Sequence, residues 1–142
     1  MQTFLILEAY SKLRRKVSLM AAGQLRDCDL GSKQMQILYR LSESPCSMRE
    51  LAEYTVSDKA TVTRAVETLV QAGWAKRVDG IEDRRKRIIH LTKAGAKKAL
   101  GAKDVRNFIG EELEKSLTPL ERKQFVILTN KIAGSLTREA VK

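Results

Sequence analysis

Apolar residues recur along most of this chain at steps of three and four, the spacing that gathers side chains on one face of a helix. Ile6, Tyr10, Leu13, Val17 and Met20 form such a series and predict a helix over residues 3–22, with Gly23 near its end. The polar break Arg26-Asp27-Cys28-Asp29 follows. Gly31-Ser32 then reads as a helix start with Ser32 as N-cap and Met35, Leu38 and Tyr39 inside. That helix should stop before Ser42-Glu43-Ser44-Pro45. Ser47-Met48-Arg49-Glu50 has the form of a capping box, in which the serine and the glutamate satisfy each other's free backbone donors. It predicts a short helix, 48–54, carrying Leu51 and Ala52. Thr55-Val56-Ser57 forms the turn, and Ser57 is expected to cap a longer helix, 58–72, that ends at Gly73. On a helical projection Val62, Val66, Leu69 and Val70 share one side. Ala60, Thr61, Thr63, Arg64, Glu67 and Gln71 fall on the other side or its flanks.

The texture then changes. Residues 74–78, Trp-Ala-Lys-Arg-Val, and 87–91, Arg-Ile-Ile-His-Leu, have the length and composition of strands. Between them runs Asp79-Gly80-Ile81-Glu82-Asp83-Arg84-Arg85-Lys86, a turn signal followed by a charge run. Two short strands joined by a basic tip make a β-hairpin, or wing. Thr92 can cap a long helix, 93–115, with Leu100, Val105, Phe108, Ile109 and Leu113 apolar. Thr118-Pro119-Leu120-Glu121 is a second capping box with proline at the first helical position. The helix it opens carries Phe125, Leu128, Ile132 and Leu136. The predicted fold class is mainly α with a small β-hairpin wing. A short helix, a turn, a longer helix and a basic hairpin in that order form a winged helix-turn-helix.

Charge sharpens this picture. The 142 residues carry a net charge of +10, and residues 58–98 alone hold 11 Lys/Arg against 5 Asp/Glu. More than half of the excess therefore lies on the helix of 58–72, the wing and the helix start behind it, which implies a polyanionic partner. The N-terminus of helix 58–72 offers free N–H groups and a positive dipole end to phosphate. A helix fits the major groove, where base edges carry a full donor–acceptor code. Arg64 has the reach for guanine, Ala60 for a thymine methyl, Thr61 and Thr63 for bases or phosphates, and Lys59 for phosphate. The tip Arg84-Arg85-Lys86-Arg87 suits a narrow minor groove, whose negative potential attracts arginine; alternate side chains diverge, so not all four can enter.

Other chemistry finds little support. Cys28 and Cys46 belong to no CxxC spacing and are too few for a disulfide framework. Both are expected to be inert thiols, with redox sensing the alternative. His90, between Ile89 and Leu91, has no partner cluster. No nucleophile–base–acid set, Gly-rich phosphate loop or metal-ligand spacing occurs, so neither an enzyme site, a cofactor nor a metal is expected. The apolar run near residue 5 precedes the basic cluster at 12–16, the reverse of a secretory signal. No apolar stretch is long enough to span a membrane, and the cytoplasm is the expected compartment. Three rival functions remain: an RNA-binding or nucleoid-architectural protein, an enzyme, and an interaction module that no longer binds DNA.

The stretch from Leu51 to Gly95, LAEYTVSDKATVTRAVETLVQAGWAKRVDGIEDRRKRIIHLTKAG, resembles the core of MarR-type transcription regulators. The resemblance is carried by LAE, VS and TVTR with Leu69 and Gly73, by the wing pattern of Asp83, Arg85, Leu91 and Thr92, and by Gly31 to Leu38. Trp74 departs from it, standing where a smaller aliphatic residue is usual, and is read as packing against the wing. So does the absence of a first-helix cysteine, which speaks against peroxide sensing. The resemblance implies one domain over 1–142, with a DNA-binding module at 32–92 and dimerisation helices at 1–31 and 93–142. It implies a homodimeric, sequence-specific regulator of double-stranded DNA, a repressor released by a small, often aromatic effector. The residues expected on DNA are Ser57, Lys59, Ala60, Thr61, Thr63, Arg64, Asp83, Arg84, Arg85 and Lys86. Arg85 is first in line for the groove and Asp83 is expected to orient an arginine through a charge-assisted hydrogen bond.

Overall fold

A computed structural model describes residues 4–26, 30–83 and 85–136. Nine elements follow in order: α1 (Leu5–Leu25), α2 (Ser32–Glu43), β1 (Cys46–Ser47), α3 (Met48–Thr55), α4 (Lys59–Gln71), β2 (Ala75–Asp79), β3 (Arg87–Leu91), α5 (Lys93–Lys115) and α6 (Pro119–Ser135). They fall into two compact units, Met1–Asn107 and Phe108–Lys142, with α5 running through the boundary. Among the described residues no helix is long and apolar enough to cross a membrane.

The core of the first unit is built from the apolar faces that the periodicity singles out. Ile37, Leu38, Leu51, Val62, Val66, Leu69 and Ile89 are all within 2% of complete burial. Each such side chain stabilises the fold by roughly 1.5–3 kcal/mol through removal from water. Trp74, Leu91 and Val105 are half-buried against this cluster, and the Lys98 ammonium sits 4.9 Å above the Trp74 ring. The two hairpin strands pair antiparallel with Arg77 opposite Ile89 and Asp79 opposite Arg87. A third strand, β1, completes a sheet of order β1-β3-β2 and places Cys46 opposite Ile89. Two residues are too short to give a periodic signal, and their partner lies some forty positions away, so only tertiary pairing defines this strand.

Helix ends show which local signals prevailed. Ser47 caps α3 by accepting the Glu50 N–H at 3.1 Å, while its hydroxyl meets the Glu50 carboxylate at 3.2 Å. Gly73 has φ 80° and closes α4, with the Trp74 N–H donating to the Leu69 carbonyl at 2.9 Å. Thr92 caps α5 through the Gly95 N–H at 3.0 Å. Two expected caps are displaced. Gly31, not Ser32, is the N-cap of α2, and the Gln34 side chain reaches back to accept its N–H at 2.9 Å. Asp58, not Ser57, caps α4. Helix α1 starts at Leu5 and runs through Gly23 to Leu25, and α3 is one residue longer than expected.

The second unit contains the end of α5 and α6. The expected capping box at Thr118 forms in full: Glu121 accepts the Thr118 N–H at 2.9 Å and donates its own to the threonine hydroxyl at 3.2 Å. Hydrogen bonds from the Thr118 backbone and side chain hold the Glu121 carboxyl below the ordinary carboxylate range, the backbone bond most of all. No residue of α6 is buried, and Phe125, Leu128, Ile132 and Leu136 are 45–65% exposed.

Candidate nucleic-acid interface

The exposed side of α4 follows from the burial of the other. Val62, Ala65, Val66 and Leu69 face the core, so Lys59, Ala60, Thr63 and Arg64 are left in solvent. Lys59, Thr63 and Ala60, Arg64 are spaced at four residues, which aligns them along one helical stripe. Thr61 is half-buried. The Thr63 hydroxyl donates to the Lys59 carbonyl at 2.7 Å, which leaves its oxygen as an acceptor toward solvent. Ser57 is half-buried and donates its hydroxyl to the Thr55 carbonyl at 3.2 Å, so it braces the turn instead of capping the helix.

Asp58 takes the capping role because its backbone is extended, φ −73° and ψ 165°, and its carboxylate accepts the Thr61 N–H at 2.7 Å. Hydrogen bonds from the Thr61 side chain and backbone hold this carboxyl below its ordinary range. Either Ser57 or Asp58 suits an N-cap by type, and the sequence alone favours neither. The deciding residue is Val56, which takes up the left-handed conformation and ends α3 one position later than expected.

The wing loop is closed by backbone bonds. Gly80 N–H donates to the Lys86 carbonyl at 2.7 Å, and Lys86 N–H to the Asp83 carbonyl at 3.0 Å. A side chain at position 80 would crowd the Asp83 and Lys86 carbonyl oxygens at 2.6 and 3.0 Å, so glycine is required there. Asp83, Arg85 and Lys86 are exposed. Arg84 lies outside the described residues. The Asp83 carboxylate accepts the Arg85 backbone N–H at 3.0 Å, which shapes the loop, and the Arg85 side chain is exposed. An Asp in a tight turn readily accepts from the amide two residues on.

Two features that the sequence did not signal tie these parts together. Arg77 on β2 donates to the Glu67 carboxylate on α4 at 2.6 Å, coupling wing to helix. Lys33 on α2 donates to the Thr55 carbonyl at 2.6 Å and anchors the α3–α4 turn. Both pairs are far apart in sequence and carry no spacing signature. His90 is half-buried on β3 opposite Lys76. Cys46 is buried, its thiol donates weakly to the Ser44 carbonyl at 3.4 Å, and burial pushes its pKa up. That disfavours the thiolate needed for redox chemistry. Cys28 lies outside the described residues. Among the described residues no three His, Cys, Asp or Glu side chains are placed to hold a metal.

Known proteins share this arrangement. Residues 29–86 match the profile of the MarR family. YwoH, an HTH-type transcriptional regulator of Bacillus subtilis (strain 168), is 35% identical over 85 residues, which are 59% of this chain and 61% of that protein. The chain thus matches about three fifths of that relative's length. The transcriptional regulator BldR from Sulfolobus solfataricus superposes with a TM-score of 0.80 at 25% identity, covering 95% of this chain and 96% of that one. MepR of S. aureus, solved as a DNA complex, gives a TM-score of 0.80 at 19% identity over 91% and 96% of the two chains and shares the fold. YwoH and BldR are transcriptional regulators.

Proposed function

We propose that this chain, whose residues 29–86 match the MarR family profile, is a member of that family and a sequence-specific, double-stranded-DNA-binding transcription regulator. The observation that carries this reading is the exposed stripe Lys59, Ala60, Thr63, Arg64 on α4, paired with a closed wing that presents Arg85 and Lys86. α4 occupies the major groove and the wing the adjacent minor groove. The Glu67–Arg77 pair holds the two at a fixed spacing. RNA offers side chains no readable major groove, so an α4 of this shape favours duplex DNA.

The protein acts as a homodimer. Ile6, Tyr10 and Leu13 on α1, and Phe125, Leu128 and Ile132 on α6, are exposed by 37–69%. Apolar exposure on this scale calls for a partner, and a twofold contact between identical copies is the commonest solution. Two half-sites engaged at once raise affinity well beyond that of one module. The dimer is a repressor released by a small effector. Support for the effector comes from a cleft of about 590 Å³ beside β3, whose walls join Leu41, Leu91 and Leu100 to Lys97 and Lys103. Such a lining suits an aromatic acid. An effector acts only by binding the DNA-competent and DNA-incompetent shapes unequally, and benzoate as a probe should lower operator affinity.

In vitro selection from a random duplex library, followed by competition between the selected and scrambled duplexes, tests the reading. The expected outcome is a roughly palindromic operator bound at least a thousandfold more tightly than random DNA. Enrichment of no sequence would remove the claim of specificity.

A further inference from the structure

The turn between α3 and α4 holds a strained residue whose side chain gains nothing from burial. Val56 has φ 49° and ψ 53°, the left-handed region, and is the one non-glycine residue with positive φ among those described. A β-branched side chain is crowded there. Its side chain is 89% exposed, so burial recovers nothing. The backbone is fixed from several directions. Val56 and Ser57 donate their N–H groups to the Glu53 and Ala52 carbonyls at 3.3 and 3.0 Å. Buried Thr55 donates its hydroxyl to the Leu51 carbonyl at 2.8 Å, and Lys33 holds the Thr55 carbonyl. Glycine would make each of these bonds without a Cβ penalty. What valine adds is two methyl groups on the surface, two positions before the cap of α4 and three before exposed Lys59.

We infer that Val56 is a specificity residue whose γ-methyl groups contact the C5-methyl of a thymine at the edge of the major groove. The inference rests on the DNA-binding reading above. Backbone strain persists where surrounding structure over-determines it, and it gathers at functional sites. The thymine methyl is the apolar mark in the major groove. A contact of this kind removes about one methylene's worth of surface from water, equivalent to a three- to tenfold gain in affinity.

The test combines Val56→Gly with operator duplexes in which single thymines, in both half-sites, are replaced by deoxyuracil, which deletes only the methyl group. Val56→Gly should melt about 2–5 °C higher and bind the operator about three- to tenfold more weakly. One thymine-to-uracil change should weaken the wild type by a similar factor and leave the variant unaffected. Equal affinity of variant and wild type overturns the contact. So does a weaker variant that keeps the wild-type response to every uracil, and an unchanged or lower Tm removes the strain on which the inference stands. Failure of the wild type to prefer the unmodified operator over random duplex is a separate result and sinks the DNA-binding reading itself.

Discussion

Replacing Gly95 by alanine should destabilise this protein, although the same change in an open helix stabilises. Gly95 is buried in the first turn of α5 and donates its N–H to Thr92, whose hydroxyl donates in turn to the Gly73 carbonyl at 2.6 Å. A Cβ at Gly95 would overlap the Trp74 carbonyl oxygen and stand 2.7 Å from its carbon and 3.1 Å from its Cα, well inside ordinary contact. These atoms are backbone and cannot rotate away. Trp74 is held by its N–H, which donates to the Leu69 carbonyl, and by its carbonyl, which accepts the Thr92 N–H at 3.1 Å. Helix and strand must therefore separate. Overpacking of this kind costs typically 1–3 kcal/mol and occasionally more, against a helix-propensity gain of about 1 kcal/mol. With backbone atoms overlapped this deeply the cost lies at the upper end of that range, about 3 kcal/mol, and the expected net loss is about 2 kcal/mol, a fall in Tm of roughly 4–8 °C. Gly101, on the same helix, provides the control: it is exposed, and a Cβ there meets nothing within 4 Å. Gly101→Ala should raise stability by up to about 1 kcal/mol. Thermal and urea unfolding at one fixed protein concentration read both variants. Gly95→Ala as stable as the parent, or shifted in the same direction as Gly101→Ala, would refute the close approach of α5 to the base of the wing.

Other consequences can be measured alongside. Arg64→Ala should relax base preference at one operator position and cost about 1–3 kcal/mol of binding, whereas Arg85→Ala should weaken sites with narrow A·T-rich flanks most; competition titrations on operator variants would show uniform losses if these roles are wrong. Leu128→Glu with Ile132→Glu should yield monomers with weak, non-specific DNA binding, and sedimentation showing an intact dimer would contradict the use of the α6 face. The Asp58 carboxyl is held below its ordinary range in the folded state, so its contribution to stability is present above that range and lost as the pH falls through the lowered value. Asp58→Asn keeps a capping side chain, and the Tm difference between about pH 6 and pH 3 should shrink; an undiminished difference would discount the cap.

Much of this architecture is readable in the chain before any coordinates. The helices α2, α3 and α4 announce themselves because one face of each is buried, and the periodicity of Leu51, Val62, Val66 and Leu69 records that burial directly; on α5 the buried residues are Gly95, Ala99 and Ala102, while Leu100, Phe108 and Leu113 of the expected set are exposed. Thr118 and Ser47 announce helix starts because a capping box is a local device with a local signature. The wing is legible from its turn residues and charge. What escapes is decided by competition or at a distance. Ser57 and Asp58 are equivalent caps until the left-handed Val56 chooses between them. Strand β1 exists because Ile88 and Ile89 accept it as a neighbour. Glu67–Arg77 and Lys33–Thr55 depend on how helices are placed, which no spacing encodes. On α6 the expected stripe is only part of the apolar surface, since Val126 and Ile127 are also more than half exposed; a helix apolar on several sides gives no single face to read.

In the proposed complex two copies of the winged module grip duplex DNA together, α4 in the major groove and the wing beside it. Hydroxyl-radical footprinting of the wild-type protein on its selected operator tests this most directly. Two symmetric protected half-sites are expected, centred about one helical turn, roughly 10–10.5 base pairs, apart. Each should be flanked by minor-groove protection that disappears in Arg85→Ala. A single unsymmetric patch, or protection spread evenly along the duplex, would contradict it.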